Sequence, residues 1–198
     1  KNLRVFDLTR GGKVNVLNTL IKEANGDVLV FSDANTMYDS NAILNLVKNF
    51  ADERVGCVSG QLRYKVRENA GQGAKSESAY WKYENWVKTL ESKLGRLSGA
   101  NGAIYAVRRK LISKIPQGII NDDFYVATYV LQSGYDIILE TDAVAFEEPN
   151  DNLKSQFKRH VRDGAGHYQA IAVFWRMLFP RKGSFVHFSH RVVRWLVP

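Results

Sequence analysis

Apolar positions along this chain switch between helical and extended spacing, and each switch marks an element. Lys13 to Ala24 places Val14, Leu17, Leu20, Ile21 and Ala24 on one side, the stripe of an amphipathic helix. Asp27-Val-Leu-Val-Phe31 follows as an unbroken apolar run, which predicts a strand buried on both faces. A second helix is predicted over 41–50 from Ile43, Leu44, Val47 and Phe50, and strands over 3–6 and Val55–Ser59, the latter leading into Gln61–Tyr64.

The polar, Gly-containing stretch 67–73 reads as a loop. A long helix is predicted from about Lys75 to Leu94, with Tyr80, Tyr83, Val87, Leu90 and Leu94 at helical spacing. Tyr80, Trp81, Tyr83 and Trp86 on that helix could stack on a sugar, but their spacing favours core packing. Ser98–Gly102 is a turn and Ala103–Val107 a strand. Asn121 is placed to cap a helix running to about Gln132, which Gly134 ends. Strands over 136–140 and 143–147 and a basic helix from near Ser155 complete the pattern, an α/β alternation in one unit.

Three polar groups interrupt this pattern where chemistry is expected. Asp33 and Asn35 emerge from the strand at 27–31, where ligands of open α/β sheets bind, and at i and i+2 they can share one cation. The competing reading is a simple turn. Asp122-Asp123 opens a helix, where acids complement the dipole and where a fixed carboxylate can also act as a general base. Gln156, Arg159 and His160 share one helical face, with Arg162 one turn beyond Arg159. An amide and guanidinium there suit a diphosphate, and a solvated basic helix is the plainer alternative.

Charge changes the picture at the C-terminal end. The chain of 198 residues has a net charge of +8, and residues 151–198 hold 9 basic against 2 acidic side chains. Trp175, Phe185, Phe188 and Trp195 alternate there with Arg176, Arg181, Lys182, Arg191 and Arg194, a mixture suited to an anionic membrane surface. A nucleic-acid groove uses similar residues, but no nucleic-acid-binding signature accompanies them, so no nucleic-acid partner is expected. No apolar run reaches the roughly 18–20 residues that span a bilayer. The single Cys57 excludes an internal disulfide framework and reads as a small buried hydrophobe, in keeping with a reducing compartment.

In this order, Arg10-Gly-Gly-Lys13 with Asn18, Ser32-Asp33-Ala-Asn35-Thr36, Gly99–Arg109, Asn121-Asp-Asp123 and Gln156-x-x-Arg159 resemble the family-2 glycosyltransferases of GT-A fold. The likeness is to the membrane-embedded branch that includes cellulose, chitin, hyaluronan and poly-N-acetylglucosamine synthases. It implies a GT-A-like (Rossmann-like) mixed sheet flanked by helices in 1–150, a partial catalytic core. Residues 151–198 would be a basic helical segment carrying the QxxR motif and a membrane-interface region. Asp33 and Asn35 fall on the metal-binding DxD motif, with Asn in place of the second acid, and imply Mg²⁺ or Mn²⁺ holding a nucleotide-sugar diphosphate. Lys13 matches a basic position near the donor. Asp123 falls on the general base and Asp122 supports it. Gln156 and Arg159, joined by Arg162, match the diphosphate-holding positions of QxxRW, whereas His160, at the acceptor, stands where that motif has tryptophan.

The resemblance implies inverting, metal-dependent transfer of a hexosyl or N-acetylhexosaminyl group. The sugar would pass from a nucleotide-sugar donor, a UDP-sugar by expectation, to a saccharide or lipid-linked acceptor in polysaccharide synthesis. It also implies that nucleotide-binding strands precede Lys1, that the sheet has an uncovered edge without them, and that membrane-spanning helices follow Pro198, on the cytoplasmic face of the membrane. A non-catalytic basic module that binds membrane or nucleic acid, or a nucleotidyltransferase, are the alternatives.

Overall fold

The computed structural model describes residues 3–64, 86–148 and 153–175. The helices are α1 (Lys13–Glu23), α2 (Ala42–Lys48), α3 (86–93), α4 (Asp122–Gln132) and α5 (Leu153–Val173). The strands are β1 (Val28–Ser32), β2 (Met37–Tyr38), β3 (Val55–Tyr64), β4 (Ile104–Arg108) and β5 (Asp136–Glu147). They form one mixed sheet in the order β1-β4-β3-β5-β2, in which β3 and β5 are parallel and the other pairs antiparallel.

Each face of the sheet has its own core. One gathers Phe31, Cys57, Tyr105, Val107 and Ile137 under Val14 and Ile21 of α1, Phe124, Val126, Ala127, Val130 and Leu131 of α4, Ala170 of α5 and Phe174 just past its end. The other gathers Val58, Ile104, Ala106, Ala143 and Ala145 under Ala42 and Leu46 of α2, with Phe50 beyond them. Cys57 is fully buried, as expected of a small hydrophobe, and burial pushes its thiol pKa up.

Four predicted features are corrected. Residues 3–6 form no strand: Leu3 and Val5 are each 85% exposed, because among the described residues β1 pairs with β4 alone and no element covers them. For the same reason β1 is not buried on both faces. Leu29 and Phe31 are buried, but Val30 is 37% exposed, since α2 lies over the middle of the sheet. The strands predicted over 136–140 and 143–147 are one strand, β5, with an irregularity opposite Gly60. Polar residues near that irregularity are tied to α2: Lys48 Nζ lies 3.2 Å from Glu140, and Asn45 donates to the Asp142 carbonyl at 2.9 Å. Finally, Trp86, Leu90 and Leu94 of the predicted packing face are largely exposed, because no neighbouring element among the described residues covers that side. Tyr80, Trp81, Tyr83 and the loop at 67–73 lie outside the described residues.

Candidate functional site

The site forms where the N-termini of α1 and α4 meet the C-terminal end of β1. Gly12 precedes α1 with φ +83°, a conformation that an L side chain rarely adopts, and this turn delivers Lys13 as the first helical residue. A cation at a helix N-terminus opposes the helix dipole, so its position needs another cause. Two carboxylates supply it: Lys13 Nζ lies 3.2 Å from Asp33 Oδ1 and 3.1 Å from Asp122 Oδ1. Burial by itself lowers the Lys13 pKa, but Asp122 and then Asp33 outweigh it and hold the ammonium above its ordinary value.

Asp122 is buried, and Asp33 is part exposed at the tip of β1. The Thr36 amide donates to the Asp33 carbonyl at 3.2 Å, closing a turn that leaves Asn35 exposed two residues on. Beyond this turn, the Thr36 hydroxyl donates to buried Glu147 at 2.7 Å, which ties it to the end of β5.

Asp123 lies beside this bridge, half-buried. Burial raises its pKa first and the neighbouring Asp122 adds to the rise. Amide donation from Phe124 at 2.8 Å and from Gly102 opposes it in part. A Cβ on Gly102 would come within 2.9 Å of Asp123 Oδ2, so the 98–102 turn approaches the carboxylate through a residue without a side chain. Asn121 sits at the expected N-cap position but makes no capping bond; its amide donates to the Asp163 carbonyl of α5 at 3.3 Å.

That contact brings the basic helix to the acid pair. Gly166 lets α5 approach, since a Cβ there would lie 2.5 Å from Asn121. Gln169 accepts from the Ile120 amide and donates to the Gly118 carbonyl. Arg159 and Arg162 both pair with Asp163, at 3.7 and 3.0 Å. The structure therefore joins Lys13, Asp33 and Asp122 directly, with Asp123 next in sequence, and reaches Arg159 and Arg162 through Asn121 and Asp163. Gln156 and His160 lie in the first half of α5, with side chains outside the described residues.

Asp33 and Asn35 are the residues here that could hold a cation. Asp33 and Asn35 offer one carboxylate and one amide oxygen, and no group of three acid, His or Cys ligands occurs among the described residues. That set fits Mg²⁺ or Mn²⁺, which binds through one or two carboxylates and completes its shell with substrate phosphates and water. Sequence reasoning missed Gly102, Glu147 and Asp163. Asp163 left a signal in its i+4 spacing from Arg159, and Gly102 in its place in the 98–102 turn and the Gly99–Arg109 stretch.

The family model for glycosyl transferase family 21 matches residues 7–165, from before α1 into α5. The chain belongs to glycosyl transferase family 21. It is 27% identical over 179 residues to the O-antigen chain rhamnosyltransferase RfbN of Salmonella typhimurium, covering 84% of this chain and 56% of that protein. It is 24% identical over 164 residues to the poly-beta-1,6-N-acetyl-D-glucosamine synthase of Staphylococcus aureus strain COL, covering 81% of this chain and 40% of the relative. The chain thus spans about half the length of these relatives. Among solved structures, the mannosyltransferase PcManGT from Pyrobaculum calidifontis, in complex with GDP-Man and Mn²⁺, matches with a TM-score of 0.74 at 24% identity, over 95% of this chain and 50% of that one. The mixed α/β fold of GT-A glycosyltransferases expected from the sequence is the fold this family 21 chain has.

Proposed function

We propose that this chain is the catalytic part of a metal-dependent, inverting glycosyltransferase that moves a sugar from a nucleotide-sugar donor to a saccharide or lipid-linked acceptor in polysaccharide assembly. The observation that carries the reading is the Lys13 bridge. One ammonium draws the end of β1 and the start of α4, far apart in sequence, to a common point with Asp123 beside it.

Asp123 takes the proton from the acceptor hydroxyl as that oxygen attacks the anomeric carbon. Its raised pKa makes it a better proton acceptor than an ordinary aspartate. Asp122 holds Lys13 and keeps Asp123 basic. Lys13, Gln156, Arg159 and Arg162 are assigned to the diphosphate and the orientation of the donor, and His160 to the acceptor, on the family resemblance. Asp33 and Asn35 would hold Mg²⁺ or Mn²⁺, which supplies Lewis-acid neutralisation of charge on the departing diphosphate. The donor is a nucleotide sugar, as in the GDP-Man complex of PcManGT. A UDP-sugar and a hexosyl or N-acetylhexosaminyl group are the specific assignments.

The acceptor side faces a membrane, at the cytoplasmic surface. Phe157, Val161 and Tyr168 are exposed on the side of α5 opposite Gly166, Ala170 and Phe174, and the flanking charge is basic. No helix among the described residues is long and apolar enough to cross a membrane. Sedimentation with vesicles checks the membrane contact: binding is expected to vesicles containing anionic lipid and to weaken with salt, and equal recovery with neutral vesicles would exclude it.

Assay of the released nucleotide tests the reaction in the intact protein. Glycosyl transfer releases a nucleoside diphosphate in step with sugar incorporation, whereas pyrophosphate release would indicate a nucleotidyltransferase and overturn the reading.

A further inference from the structure

Directly beneath the acid cluster lies a polar group that the reaction above does not use. Tyr105 of β4 is 1% exposed, and its ring stacks on Phe31 of β1 with centroids 4.7 Å apart and planes 6° from parallel. Its hydroxyl is buried and has no hydrogen-bond partner among the described residues. A phenylalanine would give the same stack without burying an unmatched donor, so the hydroxyl costs stability in the conformation observed. Tyr105 shares a core layer with Val14, next to Lys13, and with Phe124, two residues after Asp122; it pairs with Phe31, two residues before Asp33, and follows by three residues Gly102, which closes on Asp123.

Asp122 has a matching vulnerability. It is buried, its charged partner is Lys13, and Lys13 is shared with Asp33 and half-exposed. A diphosphate that drew Lys13 away would leave Asp122 without its cation, with only 7% of its side chain exposed to water. A buried carboxylate without a partner is strongly disfavoured. We propose that Tyr105 is a positioning residue whose buried hydroxyl takes over from Lys13 at Asp122 when Lys13 engages the diphosphate. The phenol donates and Asp122 accepts; no proton changes owner. This rests on the diphosphate reading above.

The test is calorimetric titration of the intact protein with inorganic pyrophosphate and Mg²⁺, which needs no turnover. Tyr105→Phe keeps the stack, and its melting temperature is expected to equal or exceed that of the native protein. Its pyrophosphate affinity is expected to fall about 10-fold, the order of a hydrogen bond to a charged group. In a Lys13→Met background, where there is no lysine to withdraw, the same change is expected to cost no further affinity. Equal affinity for native and Tyr105→Phe protein would overturn the role of Tyr105 and leave the proposed function standing. So would the same 10-fold loss in both backgrounds. If the native protein binds no pyrophosphate, the diphosphate site itself falls and this inference falls with it. Should Lys13→Met not fold, the comparison of native and Tyr105→Phe protein still decides the matter.

Discussion

The two faces of the sheet share one backbone but bury different chemistry. Under α2, the buried cluster is built from apolar residues, and its small members, Ala106, Ala143 and Ala145, let the helix sit close. Under α1 and α4, the same sheet carries an unmatched tyrosine hydroxyl, a shared lysine and three acids near the helix ends. The first face follows every local rule. The second breaks several, with a cation at a helix start and two adjacent acids, one buried and one half-buried. Such violations concentrate where a protein binds or reacts. The difference predicts that damage to one face appears in turnover and damage to the other in stability.

Asp123→Asn gives the widest separation. Loss of the general base is expected to lower kcat by about 100–10,000-fold. Its effect on folding runs the other way. The folded state raises the Asp123 pKa, so it favours the protonated carboxyl, and the stability this gives at low pH is lost as pH rises through the raised value. At neutral pH the neutral asparagine removes that penalty, so the melting temperature is expected to hold or rise. Single-turnover rates together with a thermal melt check both halves. Native turnover would remove Asp123 from the reaction, and a sharp loss of stability would show that its amide contacts matter more than its charge.

Leu46→Ala is the mirror experiment. Leu46 is fully buried under α2, and its truncation is expected to cost about 2–5 kcal/mol of stability. Below the melting transition, kcat should stay native, because no contact of Leu46 reaches the acid cluster. A kcat that falls while the protein remains folded would mean the two faces are coupled.

The contrast between the faces also explains what the sequence could reveal. The helical stripe was legible for α1, where Val14 and Ile21 are buried as expected, but for α2 the side expected from Ile43, Leu44 and Val47 is the exposed one, and Ala42 and Leu46 face the core with Phe50. Asp33 and the Asp122-Asp123 pair were legible as candidates only, since a turn and the helix dipole each give a plain reason for them, and their meeting at Lys13 is a tertiary fact. Val30 was misread because an apolar run predicts burial on two faces only when both are covered, and α2 does not reach the β1 edge. The break assigned at Thr141 and Asp142 was misread because β5 tolerates polar residues there through its ties to α2, a tertiary fact with no local trace. Gly102, beside Asp123, was visible only as part of a turn. Its closeness to the carboxylate depends on a contact between segments that no spacing encodes.

A smaller effect tests how the acids are coupled. Asp123 must be ionised to accept a proton, so transfer is expected to fade as pH drops through its raised pKa, above the range of an ordinary aspartate. Burial is the larger cause of that rise and Asp122 the second. Asp122→Asn removes the second cause alone, so the acid limb of the kcat/KM profile should move to lower pH without reaching the ordinary range. At the plateau, kcat/KM should fall as well, because Lys13 keeps only Asp33 to hold it. An unmoved limb would mean that Asp122 does not act on Asp123 through charge.

The smallest expected change lies within α2. Leu46 points into the core and Leu44, two residues earlier, is 68% exposed. Leu44→Glu should therefore alter stability by no more than about 0.5 kcal/mol, the ordinary range for a surface substitution, and leave turnover alone. The two leucines share a helix and a residue type, so intrinsic helix preference cannot explain a difference between them. Only the surface each one touches can. If Leu44→Glu instead destabilises the protein as much as Leu46→Ala, or abolishes transfer, the outer side of α2 is covered in the intact protein. The apolar face would then extend beyond the sheet, and the division drawn between a structural and a catalytic face would have to be redrawn around whatever sits on Leu44.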